Sequence, residues 1–173
     1  MKQAKKHLIG GITGGIGSKL AVKLSAEGDR VAGYARKAPA GDPLNSQNGF
    51  MLKTCDATEP ESLENVINEF QQELGSIDSY THAIGSIYLR PAHLTPVEDW
   101  LQTIQTNLSS AFYALRTVAK IMSKQGHGSC LFFSTAAAQT GIANHEAIAA
   151  AKGGIEAMVR AAAASYALSL IHI

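Results

Sequence analysis

Short apolar runs alternate with longer amphipathic stretches from one end of the chain to the other. His7–Gly11, Asp29–Ala35, Phe50–Cys55, Ile77–Ile84 and Gly128–Ser134 have the length and apolar content of buried strands. Between them, Gly15–Glu27, Glu59–Leu74, Pro96–Lys124 and His145–Ala167 repeat apolar residues at helical spacing. Two helix starts carry a capping-box pattern: Thr58 with Glu61, and Thr95 with Glu98, the second with Pro96 at the first helical position. Gly28, Gly75 and Gly126 stand where helices should stop, since glycine readily enters the left-handed conformation that closes a helix. Strands alternating with helices pair in parallel, because each helix must carry the chain back along the sheet before the next strand begins. The pattern predicts a single α/β domain, a doubly wound parallel sheet in three layers (helix, sheet, helix) with about five strands. Pro39–Asn48 is the one polar, turn-rich loop, and no repeat or low-complexity linker divides the chain.

Composition narrows the class. The chain has 173 residues, within the roughly 100–200 of one domain. Its charged fraction is 17% and its net charge +1, which excludes a disordered acidic protein and a basic nucleic-acid surface. Cys55 and Cys130 lie far apart, each in an apolar run, without metal-ligand spacing; buried, reduced thiols are expected. Lys5-Lys6 followed by Leu8–Ile16 has the outline of a signal peptide, but its glycines interrupt the apolar stretch. Ala161–Ile171 is far short of the roughly 20 residues a membrane span requires. A soluble, cytoplasmic chain with no membrane or nucleic-acid partner is the expectation.

The densest chemical signal is Gly10-Gly11-Ile12-Thr13-Gly14-Gly15-Ile16-Gly17, placed between the first strand and the first helix. A glycine turn there lets backbone N–H groups and the positive helix end approach a pyrophosphate that a Cβ would obstruct; tight strand–helix packing is the other reading. Gly11, Gly15 and Gly17 have the spacing Gly-x-x-x-Gly-x-Gly, and with it the chain resembles the short-chain dehydrogenase/reductase family, which folds as a Rossmann-like nucleotide-binding domain. The family usually has Thr where Gly10 stands. The resemblance assigns cofactor contacts to Gly11, Thr13, Gly15, Ile16 and Gly17. At the tip of the second strand, Ala35 stands where an acidic residue would bind the adenosine ribose, and Arg36 and Lys37 follow. Two cations there suit the 2′-phosphate of NADP(H) over NAD(H), the other reading being a solvated turn. Asp56, followed by Ala57, resembles the family aspartate that contacts the adenine amino group.

The catalytic pattern holds in part. His82-Ala83-Ile84-Gly85 falls where the family has Asn-Asn-Ala-Gly, so only Gly85 is kept, and a hydrogen-bonded strand-end role is expected for His82. Asn107 matches the asparagine whose side chain, with a local helix distortion, holds a water for proton relay; an exposed helix residue is the other reading. The family signature Tyr-x-x-x-Lys places a phenol and an ammonium on one helix face, the lysine also bonding the nicotinamide ribose. Lys152 is present, and Thr135 takes the place of the serine that steadies a carbonyl oxygen, with Ser134 beside it. The tyrosine position holds Ile148, which has no proton to give. A positioned general acid typically contributes about 10²–10⁴-fold, so turnover would need another donor: His145, Thr135, or a water held by Asn107 and Lys152.

The resemblance, covering residues 5–167, implies an NADP-preferring oxidoreductase that moves a hydride between nicotinamide and a small carbonyl or alcohol substrate. Its rival is a cofactor-binding protein with weak or no catalysis, acting as a sensor or scaffold. A large gain in carbonyl reduction on Ile148→Tyr would favour the rival, and a loss of existing turnover would mark a rebuilt site. Family members commonly pair through the long helix and the catalytic helix. The Ala-rich faces near Ala149–Ala151 and Ala161–Ala164 fit such pairing, so a homo-oligomer is expected of an intact protein. Past Ala167 the family pattern stops. Leu168–Ile173 is what CTG TCT CTT ATA CAC ATC encodes, which resembles a transposase mosaic-end adapter. The expectation is therefore a domain over residues 1–167, a non-native tail over 168–173, the last strands missing, and an aggregation-prone, inactive chain.

Overall fold

The computed structural model describes residues 4–37, 50–169 and 171–173. Met1–Gln3, Leu170 and the loop expected over Pro39–Asn48 lie outside the described residues. Six strands form one parallel sheet in the order β3-β2-β1-β4-β5-β6: β1 Lys6–Gly10, β2 Arg30–Ala35, β3 Met51–Thr54, β4 Ser79–His82, β5 Gly128–Phe132 and β6 Ile171–His172. The order reverses between β1 and β4, so a crevice opens at their carboxyl ends, where ligands bind in open α/β sheets.

Helices pack on both faces of the sheet, against the apolar positions of its strands. On one face, α2 (Pro60–Leu74) buries Leu63, Ile67, Phe70 and Leu74, a stripe with helical spacing. It packs with Val118 and Met122 of α4 (Ser110–Gln125) over Leu8, Tyr34 and Tyr80. On the other face, α1 (Gly15–Ala26) sets Ala21 against Ile9, Ile12, Val31 and Phe50. α5 (Glu146–Tyr166) joins α4 through Ala162, Leu115 and Ala119. The start of β1 is pinned by side chains: Asp29 Oδ1 accepts from Lys5 N, Asp78 Oδ2 accepts from Lys6 N, and His7 bridges Asp29 and Ser79.

Three expectations are corrected. First, the sheet has six strands rather than five: Ile171 and His172, inside the segment expected to be a foreign tail, pair in parallel with Gly128 and Ser129. Second, neither capping box forms. The N-caps of α2 and α3 (Val97–Ile104) are Glu59 and Pro96, without a side-chain capping bond. Thr58 instead turns back to Asp56, and the Thr95 hydroxyl donates to carbonyls of the preceding turn. Third, the long helix expected over Pro96–Lys124 is not regular throughout, and the local distortion that the resemblance implied at Asn107 is present. A π-turn, Gln105–Ser109, separates α3 from α4. The expected glycine stops are present: Gly28, Gly75 and Gly126 all have left-handed φ values. Among the described residues no helix is long and apolar enough to cross a membrane.

Candidate functional site

The crevice at the carboxyl ends of β1, β2 and β4 holds a groove of about 490 Å³. Its floor is the glycine turn. Gly11 has φ +76°, and a Cβ there would lie 2.8 Å from the Ala83 carbonyl oxygen. A Cβ on Gly17, the third residue of α1, would run into the Gly11 carbonyl oxygen. Of the glycine-loop residues, Gly11, Thr13 and Gly14 line the groove. Gly17 is buried behind it, Gly15 begins the helix, and Ile16 is exposed. The loop therefore presents bare backbone, and nearby N–H groups at a helix start, to whatever enters.

Arg36, Lys37, Asp56 and Ala57, which were expected to contact cofactor, line the same groove as a far wall. Asp56 Oδ1 accepts from the Thr58 backbone N–H at 3.0 Å and from its hydroxyl at 2.8 Å. Those two bonds, with the Arg36 charge adding to them, hold its carboxyl below the usual carboxylate range. The Thr58 carbonyl accepts in turn from Gln105 Nε2 at 3.0 Å, which ties this wall to the π-turn. Gln102 and Thr106 also line the groove and bond each other. Sequence reasoning missed Thr58, Gln102, Gln105 and Thr106. Only Thr58 carried a signal, since a Thr two residues after an Asp is a local turn pattern.

At the other end of the groove, Gly85 sits between Asn107 and Lys152. A Cβ on Gly85 would lie 3.0 Å from Asn107 Oδ1 and 3.6 Å from Lys152 Nζ. Asn107 is fully buried in the π-turn, which excludes the exposed reading. Its Nδ2 donates to the Thr103 carbonyl and to Ser86 Oγ, and its Oδ1 accepts from Ser86 N. Lys152 is buried to 8% exposure, and burial lowers its pKa. Ile148, one turn earlier on α5, is buried as well. Thr135 follows β5 and accepts from Ala137 N. Ser134 is turned away: its hydroxyl donates to Glu156 Oε1 at 2.6 Å, because an ionised carboxylate on the neighbouring turn of α5 is the stronger acceptor. His145 caps α5, with Nδ1 bonded to the Ala143 carbonyl. Cys55 and Cys130 are buried and free, as expected, and burial pushes the Cys130 thiol up to about 12.

His82 is a hydrogen-bonded strand-end residue, 1% exposed. Its Nδ1 lies 2.7 Å from the Tyr80 hydroxyl and its Nε2 3.2 Å from Ser110 Oγ. Burial, with the Lys152 charge adding to it, lowers its pKa from 6.5 to about 3. The folded protein therefore refuses a proton that the unfolded chain accepts near pH 6.5. This contribution to stability is complete above pH 6.5 and is lost as pH falls toward 3, at about 1.4 kcal/mol per pH unit. Urea unfolding should give about 2 kcal/mol less stability at pH 5 than at pH 7 from this group. His82→Asn should flatten the slope by that amount, and an identical slope in the variant would refute the assignment.

A larger hollow of about 830 Å³ lies at the opposite ends of the strands, lined by Lys6, His7, Asp78 and Ser129 among others; no glycine-loop residue reaches it. The groove, and not this hollow, is lined by Gly11, Thr13, Arg36, Lys37, Asp56, Ala57 and Gly85 of the residues singled out from the sequence.

Comparison with known proteins follows the same outline. Residues 11–173 match the family described as enoyl-(acyl carrier protein) reductase. The chain is similar to a D-threitol dehydrogenase of Mycolicibacterium smegmatis, 28% identical over 170 residues, covering 94% of this chain and 64% of that protein. It is also 28% identical over 155 residues to a 3-oxoacyl-[acyl-carrier-protein] reductase of Escherichia coli, covering 88% of this chain and 64% of the relative. A short-chain dehydrogenase from Streptomyces avermitilis superposes with a TM-score of 0.93 at 23% identity, over 99% of this chain and 64% of that structure. The chain thus spans less than two thirds of the length of these relatives.

Proposed function

Because the chain belongs to the short-chain dehydrogenase/reductase family, we propose that it is an NAD(P)-dependent oxidoreductase that interconverts a small carbonyl and an alcohol. The observation that carries this reading is the meeting of Asn107 Oδ1 and Lys152 Nζ at Gly85, at the end of a groove floored by bare glycine backbone. The groove suits a dinucleotide: Gly11 and Gly17 sit where any Cβ would collide, and cations and an ionised carboxylate stand on the far wall. A bound nicotinamide supplies or takes the hydride; the remaining work falls to the side chains.

The N–H groups at the start of α1 face the pyrophosphate, and Arg36 and Lys37 take the 2′-phosphate, so NADP(H) is preferred over NAD(H). Asp56 takes the adenine amino group. Gly85 and Lys152 hold the nicotinamide ribose, and Thr135 steadies the substrate oxygen. Ser134 is given no catalytic part, since its hydroxyl serves Glu156.

With Ile148 in place of a phenol, the proton comes from the Lys152 end of the site. Both Asn107 amide hydrogens are committed, leaving a lone pair on Oδ1 to hold a water beside Lys152. Burial makes the Lys152 ammonium a better acid than a solvated lysine, so it can pass a proton through that water to a substrate alkoxide. The homo-oligomer belongs to the same proposal, through Phe112 on α4, which is exposed, and the Ala-rich surface of α5.

Thermal melting with each cofactor tests the binding half: NADPH should stabilise the protein more than NADH, and the reverse order would refute the roles of Arg36 and Lys37. Carbonyl-dependent NADPH oxidation in the parent and in Ile148→Tyr tests the chemical half. On this reading the parent turns over measurably and the variant is no faster, since the proton source lies elsewhere. A gain of about 10²–10⁴-fold from a negligible baseline would overturn it in favour of a cofactor sensor.

A further inference from the structure

A single chain of buried hydrogen bonds runs beneath the groove from one end to the other. Tyr34 Oη lies 2.7 Å from Tyr80 Oη, and Tyr80 Oη lies 2.7 Å from His82 Nδ1. His82 Nε2 lies 3.2 Å from Ser110 Oγ, and the Ser110 hydroxyl donates at 2.6 Å to the Thr106 carbonyl in the π-turn. Tyr34, Tyr80 and Ser110 are fully buried.

The last bond orients all the others. Since Ser110 gives its proton to Thr106, its oxygen accepts from His82 Nε2–H. His82 is then neutral with a bare Nδ1, which accepts from the Tyr80 hydroxyl, and Tyr80 accepts from Tyr34. The Tyr80 and Ser110 hydroxyls both give and receive, and Tyr34 gives at the head of the chain, so a member that turns leaves a buried polar atom unpaired.

Both ends of the chain abut the groove. The Tyr34 and Tyr80 hydroxyls lie 2.6 and 2.9 Å from where a Cβ on Gly10 would stand, directly under the start of the glycine turn. Thr106 lines the groove, and Asn107 follows it. Between them, His82 leads into Ala83, which donates to the Gly10 carbonyl, and on to Gly85 against Asn107 and Lys152. Gly10 and His82, two of the departures from the family pattern, are therefore parts of one feature. On the far wall, Asp56 is held first by its own neighbour, Thr58, whose carbonyl is in turn reached from the π-turn by Gln105.

We propose that Tyr34, Tyr80, His82 and Ser110 act together as positioning residues for the nicotinamide end of the groove, through the Ala83–Gly85 segment and the π-turn that carries Asn107; this rests on the functional reading above. They touch neither cofactor nor substrate.

Tyr80→Phe and His82→Asn test the idea with two ligands measured by calorimetry. NADPH reaches both ends of the groove, while 2′,5′-ADP reaches only the adenosine end. Each variant should weaken NADPH about tenfold and leave 2′,5′-ADP within about twofold, and the double variant should be no worse than the poorer single one, because both break the same chain. Tyr80→Phe keeps the ring and its packing, so it carries the test should His82→Asn melt early. Parallel loss of both ligands, no loss of either, or additive losses would overturn the proposal. Failure of the parent protein to bind NADPH or NADH would sink the functional reading with it, whereas binding without the split would sink this inference alone.

Discussion

Gly17→Ala is expected to be the most damaging single methyl group in the protein. The added Cβ meets the Gly11 carbonyl oxygen and lies 2.9 Å from Ile12 Cα, so it presses on backbone that has no rotamer to change. Overpacking of this kind costs about 1–3 kcal/mol, and the upper end applies where backbone must move. The glycine turn would shift away from α1, and a displacement near 1 Å in a positioning element costs about 10²-fold. Denaturant unfolding and an NADPH titration should show both losses together. Gly15→Ala is the control: a Cβ there meets nothing within 4 Å, and it should leave stability near the parent value. Equal behaviour of the two variants would show that the turn is not a close-packed cradle.

Lys152→Met should separate function from stability. Removing the ammonium takes away a donor at the reacting end of the site, which typically costs about 10²–10³-fold in turnover. The fold should gain, because methionine fills similar space without a buried charge. The sign follows from the lowered pKa of Lys152. Below that lowered value the folded protein carries the full desolvation penalty. As pH rises through it toward 10.5, the folded form sheds its proton before the unfolded chain does, and the penalty is relieved. The variant should therefore melt higher than the parent at pH 7, with the difference shrinking as pH rises toward 10.5. A variant that melts lower at neutral pH would show that Lys152 is held by compensating contacts, not exposed to a net cost.

The sheet and its helices were legible because period and length are local properties. Leu63, Ile67, Phe70 and Leu74 mark the buried side of α2 in the bare sequence, and Gly75 marks its end. The glycine turn was legible for the same reason, as its residues are contiguous. Capping was misread: Thr58 and Thr95 stand before acidic residues three places on, yet each hydroxyl has a nearer partner in its own turn. The bond from Ser134 to Glu156 was not legible, because Glu156 lies 22 residues away on another element. The π-turn was expected only through family likeness, since a one-residue change in helical phase leaves no mark on a sixteen-residue pattern. The same distance hid Tyr34, Tyr80 and Ser110 as a unit: nothing in three separate apolar segments says that their hydroxyls share one line of protons. β6 was missed because two residues, Ile171 and His172, are too short a run to read as a strand.

The contact between Gly10 and the Tyr34 hydroxyl also constrains how this sequence could change. A Cβ at position 10 would stand 2.6 Å from the Tyr34 hydroxyl and 2.9 Å from that of Tyr80, and both rings are fully buried. Position 10 is therefore coupled to both tyrosines, and glycine is the residue that meets neither. A β-branched residue fits at position 10 only where both hydroxyls give way. Positions 10, 34 and 80 thus form an epistatic set, and libraries that randomise the glycine turn alone would sample position 10 only against two fixed tyrosines.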